Sequence, residues 1–281
     1  VGAGGHAKAL LDAHPEIKLL VGIDQDPDAL ALAAETLAPY GEKVRLLKGN
    51  FAEIVKLLAE INITAVDGIL VDIGVSSMQL DRPERGFSFM REGPLDMRMD
   101  PQGPLTAADI VNTWDEWDIG KVFRDYGEEK QWRRAAKAVV ERRERQPFET
   151  TKDLADCIES AIKLPPYAKI HPATLVFQGL RIAVNRELER LKCFIPDALK
   201  LLNLSGRLAV ISFHSLEDRI VKENFAYFAS DKESTSGIGG MFLDKKPEAR
   251  LLTRKPVVAT PSEVQSNPRS RSAKLRALEK L

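Results

Sequence analysis

The sequence predicts an α/β fold: a parallel sheet with an inserted all-helical subdomain. Three observations lead to this prediction. Strand-like and helical segments alternate over the first 72 residues, an order typical of parallel strands joined by right-handed crossovers. A glycine-rich segment opens the chain, and a charged stretch with helical but no strand patterns interrupts the alternation.

The composition is that of an ordinary globular protein. Of the 281 residues, 44% are hydrophobic and 29% charged, and 41 Lys+Arg balance 41 Asp+Glu. This excludes a strongly basic coat for nucleic acid, although a local basic patch stays open. Cys157 and Cys193 lack metal-ligand spacing, so we expect no metal site and a reducing compartment. No apolar run reaches the roughly 18 residues of a membrane span, and we expect no membrane partner.

The first part of the chain reads as a regular alternation. We predict a helix over 8–14, a second helix that begins at 27 and a third over 52–61. We predict strands over 19–24, 44–47 and 66–72. Two of these strands end in acids, Asp24 and Asp72. A glycine loop such as residues 1–6 normally follows a buried strand, so we expect the first strand of the sheet, and any targeting peptide, to be missing from this chain. We also expect low stability without that strand.

The alternation stops after residue 72 and resumes late. Residues 74–104 read as a long functional loop, 106–163 and 174–202 as helices, 206–213 as a strand and 216–228 as a helix. We predict a mobile loop over 230–247, a short strand at 257–258 and a basic helix or tail over 270–281. The predicted domains are a discontinuous sheet domain, 1–104 with 172–281, and an inserted helical subdomain for substrate recognition, 105–171.

The glycine segment and the two strand-end acids predict a cofactor site. Gly2, Gly4 and Ala7 have the spacing of a dinucleotide fingerprint, and Asp24 follows where an acid accepts hydrogen bonds from a ribose. Asp72 ends the next strand, at the edge where open α/β sheets bind ligands, and could hold an amine. These residues alone fit a nicotinamide enzyme or an S-adenosylmethionine enzyme. A tight turn without ligand and an ordinary turn aspartate also stay open.

Further candidates lie after the late strand and in the long loop. Ser212 lies near the end of the strand predicted over 206–213. His214 follows this strand, at the same predicted edge as Asp72, and could orient a substrate or carry a proton. Ser215 with Asp218 has the spacing of a helix cap.

In the long loop, Arg85 and Arg91 could contact phosphates, and Phe87 and Phe89 could stack on a base. The alternative is that its Phe and Met residues pack into the joint of the two domains and that its Arg and Asp residues pair. We expect this alternative for Met97 and Met99, and both interpretations stay open for Arg85 and Arg91.

Two basic stretches suggest an RNA partner. Residues 128–145 hold seven Lys/Arg against four Asp/Glu, and residues 269–281 hold five against one. A solvated helix face is the favoured interpretation of the first. The second, with Arg269, Arg271 and Lys274, is the better candidate for gripping a phosphate backbone.

Several segments together resemble one family, the bacterial-type small-subunit ribosomal RNA (cytosine-N4) methyltransferases. The matching segments are Gly4-Gly5-His6, Gly22-Ile23-Asp24-Gln25-Asp26-Pro27, residues 67–77, residues 79–101 with Glu84-Arg85-Gly86-Phe87-Ser88-Phe89-Met90, His171-Pro172-Ala173-Thr174, residues 212–221 and Asn267-Pro268-Arg269-Ser270-Arg271-Ser272. They keep their order and span nearly the whole chain. The long loop and the segment His214-Ser215-Leu216-Glu217-Asp218-Arg219 are specific to the family.

The resemblance implies a Rossmann-like class I fold that binds S-adenosylmethionine and methylates the exocyclic N4 amine of a cytidine in small-subunit ribosomal RNA. It implies a cofactor site made of Gly4, Gly5, His6, Asp24, Phe51, Asp72 and Gln79. The substrate would be the rRNA or the assembled small subunit, in a bacterial cytoplasm, a chloroplast stroma or a mitochondrial matrix. A homodimer stays open. Two other classes compete: a nicotinamide-dependent oxidoreductase and an RNA-binding or ribosome-assembly factor without turnover.

One departure concerns the amine. Many amino-methyltransferases place (Asp/Asn/Ser)-Pro-Pro-aromatic after the fourth strand, whereas this chain has Asp72-Ile73-Gly74-Val75. We expect Asp72 to accept the hydrogen bond from the amine, with His214 and Ser212 as the next candidates. The target base must leave its stack to reach such a site.

Overall fold

The computed structural model describes residues 1–165, 170–234 and 242–281 and divides the chain into two compact units. The sheet unit comprises Val1–Asp24, Asp28–Gly74 and Leu188–Leu281, and the helical unit comprises Gln25–Pro27 and Val75–Glu187. The helical unit therefore takes in residues 75–104 and 172–187, which the sequence analysis assigned to the sheet domain.

The first half of the sheet unit is an alternation of helices and strands. Its elements are α1 (Gly5–Ala13), β1 (Leu20–Asp24), α2 (Pro27–Leu37), β2 (Val44–Lys48), α3 (Ile54–Glu60) and β3 (Val66–Asp72). Strand β1 runs parallel to β2, with Leu20 opposite Val44 and Asp24 opposite Lys48. Helices α1 and α2 pack together through Ala7, Leu11, Ala33 and Leu37. Both acids predicted at strand ends are therefore the last residues of their strands.

The described strands form separate sheets, which agrees with the expectation that one strand of the sheet is missing from this chain. Strand β3 pairs in parallel with β4 (Leu202–Ser212), in another sheet from β1 and β2. Within the described ranges no strand pairs with both β1 and β3, so nothing in them joins the two ladders.

The second half of the sheet unit supplies the other elements. They are α10 (Glu187–Leu201), α11 (Ser215–Ala229), β5 (Lys232–Ser234), β6 (Phe242–Asp244), β7 (Ala249–Leu251), β8 (Val257–Val258), α12 (Pro261–Ser266) and β9 (Lys274–Lys280). The predicted mobile loop over 230–247 is partly wrong, since β5 and β6 form an antiparallel pair. Its residues 235–241 lie outside the described part of the chain.

The predicted basic helix or tail at the end of the chain is wrong. After a 3₁₀ turn at Pro268–Ser272, β9 runs antiparallel to β4, with β7 and β8 on its other edge. Its charges are matched inside the sheet unit: Arg276, 9% exposed, pairs with Asp218 at 2.7 Å, and Glu279 accepts from Arg207 and Arg250. These partners come from distant segments, so local charge could not reveal the strand.

The helical unit is a bundle with one hydrophobic core. It contains α4 (Ser77–Asp81), α5 (Ala107–Thr113), α6 (Glu116–Lys121), α7 (Trp132–Arg143), α8 (Thr151–Ala161) and α9 (Ala173–Asn185), with a π-helical turn at Val122–Tyr126. Met97 and Met99 are buried in this core, whereas the sequence predicted that they pack into the joint of the two domains. The Asn185 side chain accepts from the Met99 N–H and donates to the Met97 carbonyl, both at 2.8 Å. These two hydrogen bonds attach the long loop to α9, which explains why residues 75–104 belong to the helical unit.

Where the chain is described, it contains no helix with both the length and the apolar character needed to span a bilayer.

Candidate functional site

The glycine segment forms a turn that leads directly into α1. Gly2 and Gly4 adopt positive φ of 54° and 86°. A Cβ on Gly4 would lie 3.2 Å from the Leu37 side chain, so a larger residue there would also have to displace that side chain of α2 slightly. A Cβ on Gly2 or Gly5 would meet no atom within 4 Å. The loop is therefore open at these two positions, next to a helix start that no side chain caps.

This loop connects the carboxyl ends of two strands. The Gly2 N–H donates to Asp24 Oδ2 at 2.9 Å, and His6 Nε2 lies 3.3 Å from Asp72 Oδ2. The Asp24 side chain is 19% exposed, whereas those of Asp72 and His6 are 42% and 58% exposed. Five consecutive residues thus hold both strand-end acids, as expected for a site at this edge of an α/β fold.

The contact with Asp72 changes the acid–base behaviour of His6. The hydrogen bond to the Asp72 carboxylate raises the pKa of His6 above its ordinary value, outweighing the burial of the imidazole, which lowers it. The pair therefore stabilises the folded state fully below the unfolded-state pKa of histidine. That contribution is lost as the pH rises through the higher folded-state pKa.

We expect an NMR titration of the His6 ring to give a pKa above about 6.5, the ordinary histidine value. Asp72→Asn should lower the His6 pKa toward that value, because the neutral amide no longer favours the imidazolium. Asp67→Asn, on the same strand, is the control and should leave the titration unchanged. An unshifted His6 in the wild-type protein would contradict the pairing.

Phe51 lies beyond the end of β2, at the start of a 3₁₀ turn, Phe51–Glu53. Its half-buried ring packs edge-on against Phe194, with centroids 5.1 Å apart. The backbone is tied to β1 nearby, since the Gly49 N–H donates to the Asp24 carbonyl at 2.9 Å. Phe51 and Asp24 therefore belong to the same corner of the sheet unit.

The structure does not support a catalytic role for Ser212. Its side chain is buried, and its hydroxyl donates to the Lys274 carbonyl at 3.4 Å. His214 lies near the predicted edge, because Asp72 pairs with Ile211 in the sheet. However, its 10%-exposed imidazole caps α11: Nδ1 accepts from the Glu217 N–H at 3.4 Å. The cap predicted at Ser215 is thus at His214.

In the helical unit, Asp26 is fully buried and connects two residues of the long loop. Its Oδ2 accepts from Gln79 Nε2 at 2.8 Å and from Arg85 at 2.7 Å. Gln79 also accepts from the Ser76 N–H, completing a capping box at the start of α4. Arg85 donates further to the Arg98 and Met99 carbonyls. Of the two interpretations left open for Arg85, the structure therefore favours pairing with an aspartate over a phosphate contact, with 11% of the side chain exposed.

The two phenylalanines of the long loop differ in position. Phe87 is 7% exposed and belongs to the core of the helical unit, so it offers no face for a base. Phe89 is half-buried and packs on His171 and Phe177, with centroids 4.7 and 4.9 Å away. Arg91 is exposed and donates to the Asp81 carbonyl at 3.3 Å. Of these candidates, Arg91 is the one presented to solvent.

The three candidate RNA-binding residues near the end of the chain differ in their surroundings. Arg269 and Arg271 are exposed in the 3₁₀ turn before β9. Lys274 is the first residue of β9 and lies 3.4 Å from Asp218 Oδ2, so it contributes to the sheet unit. The RNA contact stays a prediction for Arg269 and Arg271.

Sequence reasoning missed three polar residues that organise these sites: Asp26, Glu217 and Asn185. Asp26 and Glu217 lie inside segments that carry the family resemblance, and Asn185 lies inside the helix predicted over 174–202, but none was predicted to have a role. Glu217 accepts from the nearby Phe213 and His214 N–H groups. Asp26 and Asn185 instead bond to distant residues, which local sequence does not reveal. The pairing of His6 with Asp72 was missed for the same reason.

The sheet-unit residues fit S-adenosylmethionine, the cofactor implied by the resemblance. The open positions at Gly2 and Gly5 leave room beside free N–H groups, which suit a carboxylate. Asp24 and Asp72 supply acceptors for hydroxyl and ammonium groups, and Phe51 supplies an apolar surface for a ring. Gln79 belongs to the helical unit, where its amide is engaged.

Comparison with known proteins gives one consistent result. The family model described as the MraW methylase family matches residues 1–281. A protein of Protochlamydia amoebophila named ribosomal RNA small subunit methyltransferase H is 56% identical over all of this chain and 89% of its own length. Proteins with the same name from Geotalea uraniireducens and Trichormus variabilis are 49% and 47% identical, again over the whole chain and over 90% and 83% of their own lengths.

Proposed function

Because this chain belongs to the MraW methylase family, we propose that it transfers a methyl group from S-adenosylmethionine to the N4 amine of a cytidine in small-subunit ribosomal RNA. The family membership confirms the predicted methyltransferase class, its Rossmann-like class I fold and its methyl donor. The observation that carries the proposal is the glycine loop that holds Asp24 and Asp72 together.

The acceptor nitrogen sets the chemical problem. The lone pair of a cytosine N4 amine is delocalised into the ring, so the amine is a poor nucleophile. S-adenosylmethionine, when bound, supplies an electrophilic methyl group on a positively charged sulfur, which is a good leaving group. The residues of this chain therefore need to orient the amine and remove its proton rather than activate the donor.

Asp72 is suited to this task. It is the more exposed of the two strand-end acids, and its carboxylate can accept a hydrogen bond from the amine. Such a bond draws the amine hydrogen toward oxygen and helps the nitrogen to become tetrahedral as the new N–C bond forms and the C–S bond breaks. The amine proton then passes toward the carboxylate, with His6 beside it. Asp24, bonded to Gly2, would hold the ribose instead.

The two competing classes are disfavoured. A nicotinamide oxidoreductase would use the same glycine loop, but it does not belong to a methylase family. An assembly factor without turnover would need no cofactor edge, whereas this chain keeps an exposed acid paired with a histidine beside an open glycine loop. The relatives named above are bacterial, which favours a bacterial cytoplasm over a chloroplast or a mitochondrion as the place of action.

The proposal is tested with labelled S-adenosylmethionine and small ribosomal subunits from a strain that lacks this methylation. We expect label in the rRNA and N4-methylcytidine among the digested nucleosides, identified by mass. The same assay with free rRNA in place of assembled subunits shows which of the two is the substrate. Methylation of another nucleoside, with cofactor binding intact, would replace the proposed acceptor.

We expect Asp24→Ala to weaken binding of S-adenosylmethionine by about 10- to 150-fold, the equivalent of losing one hydrogen bond to a charged group. Isothermal titration calorimetry measures this directly. Glu35→Gln, an exposed acid on α2, is the control and should bind as the wild type does. Unchanged affinity in Asp24→Ala would remove Asp24 from the cofactor site.

A further inference from the structure

The helical unit presents an exposed tryptophan. Trp117, on α6, is 57% exposed. Isolated exposed apolar residues are common and need no explanation. However, Trp117 is held against the ring of Trp132, with centroids 5.9 Å apart and planes 71° apart. This edge-to-face contact restrains the exposed indole of Trp117.

The neighbouring backbone is fitted to this pair. A Cβ on Gly120 would lie 2.7 Å from the Trp132 ring, so any larger residue there would displace it. Two guanidinium groups lie over the Trp132 ring, that of Arg133 at 4.1 Å and that of Arg124 at 5.3 Å from its centroid. Trp132 itself is buried. Both guanidinium groups therefore contact the same ring that the exposed indole of Trp117 contacts.

The basic side chains near Trp117 and Trp132 differ in whether a carboxylate already pairs with them. Arg124 makes two hydrogen bonds to Asp125, at 2.6 and 2.9 Å, and Lys121 is paired with Asp118. In contrast, no carboxylate of the described ranges lies within 4.0 Å of the exposed Arg133 guanidinium. Beside the exposed acids Asp115 and Glu116, the surface therefore offers the Trp117 indole and the Arg133 guanidinium, which no described carboxylate pairs. This suits a single nucleotide better than the continuous phosphate backbone of a duplex.

We propose that Trp117 and Arg133 bind one unpaired nucleotide of the RNA substrate, with the base stacked on the Trp117 indole and the phosphate held by Arg133. This inference rests on the proposed function, which makes RNA the substrate. It also supplies the stacking face that the buried Phe87 cannot. Every base has an aromatic face, so this contact anchors the strand without reading its sequence.

The test measures the affinity for a fluorescent single-stranded oligonucleotide copied from small-subunit rRNA, by anisotropy at several salt concentrations. We expect Trp117→Ala to weaken binding about 5- to 150-fold, the range for losing one base stack, and Trp117→Phe to retain most of the affinity. Arg133→Gln should weaken binding and reduce the slope of log affinity against log salt by about 0.7, the value for one phosphate of a single strand.

Lys137→Gln is the matched control for Arg133→Gln. Lys137 is exposed on α7, as Arg133 is, but its Nζ lies 3.6 Å from Glu141 Oε1. Its affinity should stay within about two-fold of the wild type. Unchanged RNA affinity in Trp117→Ala overturns the inference, as does loss of a protein–protein association in that variant without loss of RNA binding. Loss of RNA affinity in Trp117→Ala supports the nucleotide site even if the wild type forms no N4-methylcytidine. A failure of the proposed methylation is therefore distinguishable from a failure of this inference.

Discussion

Replacing Asp72 by Ala is expected to reduce methyl transfer to the RNA by about 10²- to 10⁴-fold, the range for losing a positioned proton acceptor. The reason is geometric and chemical: Asp72 ends β3, is 42% exposed and faces His6. Single-turnover assays with saturating S-adenosylmethionine and RNA measure the chemical step alone. Asp72→Asn keeps the shape and one acceptor oxygen but cannot take a proton, so we expect it to be nearly as slow.

The matched control is Asp67→Asn. Asp67 lies at the other end of the same strand, where its carboxylate accepts from Asn203 at 2.7 Å, so its variant should keep wild-type turnover. Calorimetry on Asp72→Ala separates two roles. If affinity for S-adenosylmethionine falls while turnover at saturation is preserved, Asp72 holds the cofactor and is not the acceptor for the amine.

Replacing Asp26 by Asn is expected to destabilise the helical unit by about 3–5 kcal/mol, the cost of removing one partner from a buried ion pair. Asp26 is fully buried, and Arg85 would retain a charge in a site where its side chain is 11% exposed. The free energy of unfolding, from urea denaturation monitored by circular dichroism, gives the magnitude. Since the chain has two units, their transitions need to be fitted separately.

The double variant Asp26→Asn with Arg85→Met makes this test specific. Removing both charges is often much less costly than removing one, so the double variant should be more stable than Asp26→Asn alone. Glu92→Gln, which removes an exposed acid from the same loop, is the control for the change in charge and should lie within about 0.5 kcal/mol of the wild type. A similarly small effect of Asp26→Asn would show that the pair contributes little.

Local patterns were sufficient wherever a residue's role follows from its own segment. The β1 and β3 boundaries followed from short apolar runs that end in acids, and the glycine loop followed from its spacing. The same reasoning failed for β9 because its charges suggested a basic tail. In the folded chain Arg276 pairs with an acid on α11, and Glu279 pairs with arginines on β4 and β7. These ion pairs neutralise charges that the local sequence suggests are exposed.

The sequence by itself determined the α/β class, the acids at the ends of β1 and β3, and the methyltransferase family. These depend on periodicity, glycine spacing and ordered motifs, which are properties of short segments. Only the tertiary structure decided which polar residues face solvent. It buried Phe87 and Ser212, left 11% of the Arg85 side chain exposed, paired His6 with Asp72, and left Trp117 exposed. Burial and pairing depend on residues far apart in the chain, because a side chain's energy is set by the neighbours that folding brings to it.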